Sequence, residues 1–330
     1  MFRLESRGGM LVIAARLARV TGIRRLLAGF VLAALAVTCG AGAGAGELPA
    51  SPFDRPMIFA IVRSSAANCE PNCPEWIYAE GQIRQETPAA FRKILKRAGG
   101  RRLPLILLSP GGNVDAAMEM GRIVRDRRMP VEVGFTRFAT CRPRDKGCAS
   151  DGVAKGEFRG LAIAEGAFCW SACPLVLAAG VERYSSLVSS TGVHQVTTVY
   201  QREKVYFRER YRMVNGEKKV VSRKIISREA AGTTKTTKLP RKTRSLLNAY
   251  FKEMGVGRDL IAIMQSTPSN KIRRLKPEEL LHLRLVTAIT PDVYLGDPGI
   301  CMGEKPPAHC ILRPEYGVAE ATPPAMPVAD

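Results

Sequence analysis

Histidine is scarce in this chain, with three in 330 residues. "CEPNC" and "HC" are the only zinc-like fragments, and no second close cysteine motif accompanies them. A Cys/His metal centre needs four ligands at set spacings, so zinc is set aside. No metal and no cofactor is expected. Long apolar runs are also lacking. "LLAGFVLAALAV", residues 26–37, falls short of the roughly 20 residues that span a bilayer. Acidic residues are few, 30 Asp+Glu against 50 Lys+Arg, for a formal charge of +20. No internal sequence repeat stands out, which argues against a repeat array.

The N-terminus carries six arginines and one acid in residues 1–25, then the apolar run, then "TCGAGAGAGELPA". A basic region, a short apolar core and small residues read as an export signal, with cleavage after Ala45. The other reading is a retained membrane anchor. Either way the chain is expected to be exported, to the periplasm or to a membrane-associated envelope site. Cysteine use agrees. Apart from Cys39, eight cysteines fall in close pairs, Cys69/Cys73, Cys141/Cys148, Cys169/Cys173 and Cys301/Cys310. An even count in an exported chain suggests disulfides, although eight cysteines allow about 105 pairings. Cys141–Cys148 and Cys301–Cys310 are favoured as loop staples. For Cys169 and Cys173 a disulfide or buried thiols are preferred to a redox pair.

The excess charge is concentrated in residues 201–244, with fifteen Lys or Arg and four Glu. Export argues against nucleic acid as the partner. Anionic lipid or an envelope polymer is the functional reading, and a solvated insertion is the other. Inside this stretch "VYFRERYRMV" and "KKVVSRKII" flank "NGE". Asn-Gly between alternating segments predicts a β-hairpin. Tyr206, Tyr211, Val214, Val220, Val221 and Ile225 are expected to supply its apolar contacts.

Along the rest of the chain, strand-like and helix-like runs alternate. Residues 57–62 and 76–83 read as strands, and "TPAAFRKILKRAGG" as a capped helix. "LPLILLS" fits a buried parallel strand. It leads through "PGGNV" into a helical stripe and the strand "MPVEVGF". This is the pattern of a parallel α/β fold. Residues 136–158 read as a loop, and those beyond 290 as a Pro/Gly-rich tail. His282 reads as a structural residue of an apolar helix, and His309 as solvated.

Ser171 sits in "CWSACPLVLAAG", between two cysteines at the start of an apolar helix. His194 ends a strand twenty-three residues later. A serine at a helix start is most often a cap. Set after a glycine turn and before a histidine, it reads instead as an activated nucleophile.

These segments resemble Clp-type serine peptidases. "LLSPGGNVDAAMEMGRIVR" is similar to the family's glycine segment, "CWSACPLVLAAG" to its nucleophile segment and "VSSTGVHQV" to its histidine segment. The likeness covers residues 57–289 with insertions at 136–158 and 197–244, and lies nearest to exported Clp-like bacterial proteins. It implies a Clp/crotonase-like α/β fold of repeated β-β-α units, with the basic hairpin and disulfide-stapled loops added. The domain plan is then a signal or anchor over 1–45, a linker over 46–56, this domain, and a tail over 290–330. The resemblance further implies Ser171 as nucleophile, His194 as general base and the amides of Gly112 and Ala172 as oxyanion hole. The substrate would be a peptide or protein, and oligomers are possible. Two positions depart from the family pattern. Trp170 precedes the serine where a small residue is usual, so it is expected to narrow or fill the pocket. Asn270, with Ser269 behind it, stands where the family has the third, aspartate member. A partner-binding relative without turnover is the alternative, and an acyl-CoA enzyme is set aside because export removes the CoA pool.

Overall fold

The computed structural model describes residues 54–152 and 156–316. The segment read as a signal or anchor, most of the linker and the end of the tail lie outside the described residues.

The fold is mixed α/β. Strands β1 (Ile58–Ser64) and β2 (Asn72–Glu80) form an antiparallel pair. Helix α1 (Thr87–Ala98), β3 (Leu105–Leu108), α2 (Val114–Asp126) and β4 (Val131–Val133) follow. Next come β5 (Phe135–Phe138), β6 (Glu157–Ile163), β7 (Phe168–Trp170), α3 (Cys173–Ala178), β8 (Arg183–Ser186) and β9 (Ser190–Val193). Strands β10 (Thr198–Val214) and β11 (Glu217–Thr236) precede α4 (Arg241–Met254) and α5 (Asp259–Ser266). The described chain closes with β12 (Arg273–Arg274), α6 (Pro277–His282), β13 (Ala288–Thr290) and β14 (Cys310–Leu312).

Nine strands make the main sheet, in the order β13-β8-β4-β3-β2-β1-β6-β5, with β14 added to β2. From β2 through β13 the pairs are parallel. The sequence explains the centre. β3 reads LILL with every residue buried, as a strand covered on both faces must be. Helix α1 begins Thr-Pro and buries Phe91, Ile94, Leu95 and Ala98. That spacing is one helical stripe. Three short strands, β12-β9-β7, form a second sheet, and this sheet carries the residues discussed below.

The structure departs from the sequence expectation on four points. The loop expected over 136–158 contains most of β5 and the start of β6, because Phe138 packs edge-on against Tyr78 at 5.0 Å and Phe158 at 5.7 Å. The tail expected after 290 is joined to the body. β14 pairs antiparallel with β2, and the buried Glu132 carboxylate accepts the Tyr294 and Leu295 amides, each at 2.7 Å. His309, expected to be solvated, is 3% exposed and its Nε2 donates to the Leu295 carbonyl at 3.0 Å. His282, expected within an apolar face, is exposed.

All four close cysteine pairs are disulfides, Cys69–Cys73, Cys141–Cys148, Cys169–Cys173 and Cys301–Cys310. A buried ion cluster closes one end of β1 and β2. Glu75, with no exposed surface, accepts from Arg63 at 3.1 Å, Arg101 at 2.7 Å and Arg313 at 3.1 Å.

Gln201–Gly232 is a separate unit of the described residues. It holds most of β10 and β11, which form a two-stranded sheet of their own. They turn at Asn215 and Gly216, with φ of 52° and 81°. Two successive positive φ values make the tight hairpin turn that Asn-Gly favours. The apolar side chains expected to pack are exposed, among them Tyr206, Tyr211, Val220 and Val221.

Candidate active site

Four chain segments converge on Ser171. The first is the glycine turn after β3. Ser109 Oγ donates to the Gly81 carbonyl at 2.7 Å and accepts the Gly111 amide at 3.0 Å. Gly111 and Gly112 have φ of 94° and 137°, conformations that side chains rarely adopt. Space demands glycine as well. A Cβ on Gly112 would lie 2.1 Å from the Ile83 carbonyl oxygen, and one on Gly111 would lie 2.6 Å from Ser171 Cβ. Ile83 donates to the Gly111 carbonyl and accepts from the Asn113 amide, both at 2.8 Å. Pairing on that side turns the intervening Gly112 amide the other way, and Gly112 lines the cavity beside Ser171. Asn113 then caps α2, its Oδ1 accepting the Ala116 amide at 2.9 Å.

The second segment is β7. Its Trp170 amide donates to the Ser109 carbonyl at 3.0 Å, and the next amide, that of Ser171, donates to Gly192 at 3.0 Å. Ser171 therefore leaves the strand in a sharp turn, with φ of 61°. A non-glycine residue in the left-handed region carries strain that the surroundings must hold. The Cys169–Cys173 disulfide spans this turn symmetrically, two residues to either side. Among the described residues neither the Gly112 nor the Ala172 amide donates a hydrogen bond.

The third segment is the end of β9. His194 Nε2 lies 2.7 Å from Ser171 Oγ. The strand is fixed beyond it, because the Gln195 amide donates to Thr267 at 2.9 Å and its Nε2 to the Gln265 carbonyl at 2.7 Å. Burial holds the His194 pKa below its ordinary value, partly offset by the Gln195 backbone. The fourth segment is α5, whose Met264 joins Val114, Leu175 and Val196 around a cavity of about 200 Å³ open to Ser171 and His194.

Two expectations are corrected here. Asn270 makes no hydrogen bond to His194. It lies in an exposed turn after α5, and Ser269 beside it is exposed too. His194 Nδ1 is buried without a hydrogen-bond partner among the described residues. Trp170 does not fill the cavity. Alternation along β7 sends its ring the other way, where it stacks on Phe168 at 4.2 Å and donates from Nε1 to Ser190 Oγ at 3.1 Å.

No family model matches the chain, and no curated protein matches it. Among solved structures it is similar to a variant of the 1510-N membrane-bound stomatin-specific protease, at 15% identity and a TM-score of 0.36, over 64% of this chain and 76% of that one. A second variant of that protease, in complex with a substrate peptide, is similar at 16% identity and a TM-score of 0.37, over 64% and 72% of the two chains.

Sequence reading missed β7, a three-residue strand that sets the direction of Ser171. It also missed Gln195, Gln265 and Thr267, which fix the histidine strand. Their roles depend on backbone carbonyls, which leave no residue-type signature.

Proposed function

We propose that this chain is an exported serine hydrolase of Clp/crotonase type that acts on peptides. One observation carries the reading: Ser171 Oγ and His194 Nε2 are 2.7 Å apart, beside two backbone amides that donate to no acceptor among the described residues.

His194 takes the hydroxyl proton as Ser171 Oγ attacks the scissile carbonyl. The developing oxyanion is met by the Gly112 and Ala172 amides, which line the cavity and donate no hydrogen bond among the described residues. The imidazolium then protonates the departing amine, and water, deprotonated by the same histidine, releases the acyl group. Burial suits this role, because it keeps the imidazole neutral and able to accept a proton. Val114, Leu175, Val196 and Met264 favour an apolar substrate side chain next to the scissile bond. The proposed compartment is the bacterial envelope, with residues 1–45 as signal or anchor, and four disulfides suit an oxidising compartment.

The unpaired Nδ1 of His194 favours a second reading, a partner-binding relative without turnover. Labelling with a fluorophosphonate separates the two. The catalytic reading expects modification at Ser171 that Ser171→Ala abolishes and His194→Gln slows at least 100-fold, within the range of general-base effects. Intact protein that resists the probe supports the second reading.

A further inference from the structure

We propose that the hairpin Gln201–Gly232 is a membrane-docking arm whose exposed apolar side chains near the Asn215–Gly216 turn enter the interface of an anionic lipid surface while the basic side chains among them hold the headgroups. The inference is independent of the proposed hydrolase activity.

Three observations point there. The first is that among the described residues the hairpin pairs with no third strand. A lone two-stranded ribbon is marginal in water, and contiguous exposed apolar surface marks an interaction site. The second is where that surface lies. Tyr211, Met213 and Val214 approach the Asn215–Gly216 turn on one strand, and Val220 and Val221 leave it on the other. All five are exposed, Met213 to 57% and Val221 to 63%. The third is charge. The unit carries ten Lys or Arg and four Glu. Three of those acids are engaged within the hairpin, Glu203 with Arg228, Glu209 with Arg223 and Glu229 with the Tyr206 hydroxyl. Arg208, Arg210, Arg212, Lys219 and Lys224 have no carboxylate partner among the described residues. Arg210, Arg212 and Lys219 lie among the exposed apolar residues near the turn.

Charge decides the occupant. A second copy of the arm would bring two strongly cationic ribbons together, and Lys and Arg along strand edges oppose edge-to-edge pairing. Interfacial binding adds apolar insertion to electrostatic attraction, and this hairpin supplies both.

The test uses the full chain and sedimentation with vesicles of phosphatidylglycerol and phosphatidylcholine, or of phosphatidylcholine alone. Any binding through residues 1–45 is common to all variants, so the readout is the added binding that anionic lipid produces. Arg208→Gln/Arg210→Gln/Arg212→Gln should weaken this increment about 100-fold, since each basic residue near such a surface contributes roughly fivefold. Met213→Ser/Val221→Ser should weaken it with the charge intact. Raising the salt from about 0.05 to 0.3 M should reduce it strongly. All of these are surface changes, and circular dichroism confirms that the variants fold. Four outcomes overturn the proposal: equal binding to neutral vesicles, variants that bind like the parent, binding to polyanions but not to vesicles, or concentration-dependent self-association that the same substitutions abolish.

Discussion

Removing the disulfide across the nucleophile turn, with Cys169→Ala/Cys173→Ala, should cost both stability and reactivity. The bridge closes a loop with a sequence separation of 4. For so short a loop the chain-entropy account gives about 2 kcal/mol of stabilisation. Against it stands Ser171 at φ 61°, and holding an L-residue there costs roughly 1–2 kcal/mol. The two are of the same size, so without the bridge the turn is free to relax. Hydrogen bonds from the Trp170 and Ser171 amides still restrain it. The expected loss is at most about 2 kcal/mol in urea unfolding, less whatever strain the turn sheds, and about tenfold in the rate of fluorophosphonate labelling, since about 1.4 kcal/mol is tenfold. A control isolates the local effect. Cys301→Ala/Cys310→Ala removes a bridge with a sequence separation of 9, which by the same relation should cost about 2.7 kcal/mol, yet should leave labelling unchanged. The reasoning fails if the first variant labels at the parent rate while its stability drops, or if both variants slow labelling equally.

Three further outcomes are expected. Activity should rise with pH through a midpoint below the ordinary histidine value of 6.5, because burial disfavours the protonated base. A kcat/KM profile with its midpoint above 7 would show that another group controls the step. Asn270→Ala should change labelling by no more than about twofold, as an exposed surface substitution does. A tenfold fall would return Asn270 to the site. Glu75→Ala should destabilise by about 3–5 kcal/mol, the usual cost of removing one partner from a buried ion pair. Arg63, itself 2% exposed, would be left without its closest buried carboxylate, and a loss under about 1 kcal/mol in urea titration would show that water reaches the cluster.

The site was more legible in the sequence than the fold around it. Ser171 leads into an apolar helix, His194 follows a strand, the glycine pair follows another, and side-chain type marks all three. The hairpin was legible because Asn215–Gly216 is a turn signal in itself, although its apolar residues proved exposed rather than packed. What failed depended on contacts distant in sequence. The place of Asn270 is set by how the chain leaves α5, and no local pattern encodes that. The direction of Trp170 follows from β7, too short to show any periodicity. His309 looked like a tail residue because nothing near it reveals that β14 returns to β2.

That return has a consequence for the order of assembly. Ile311 pairs with Cys73, and Arg313 reaches Glu75 across 238 residues of chain. A growing polypeptide therefore carries an incomplete charge cluster, with Arg63, Arg101 and Glu75 in place, until Arg313 has been made. Contacts so far apart in sequence form slowly, so the early strands must wait for their clasp. An interruption shortly before Arg313 would leave nearly all of the sheet present but its first hairpin unlatched, a species suited to quality-control proteases.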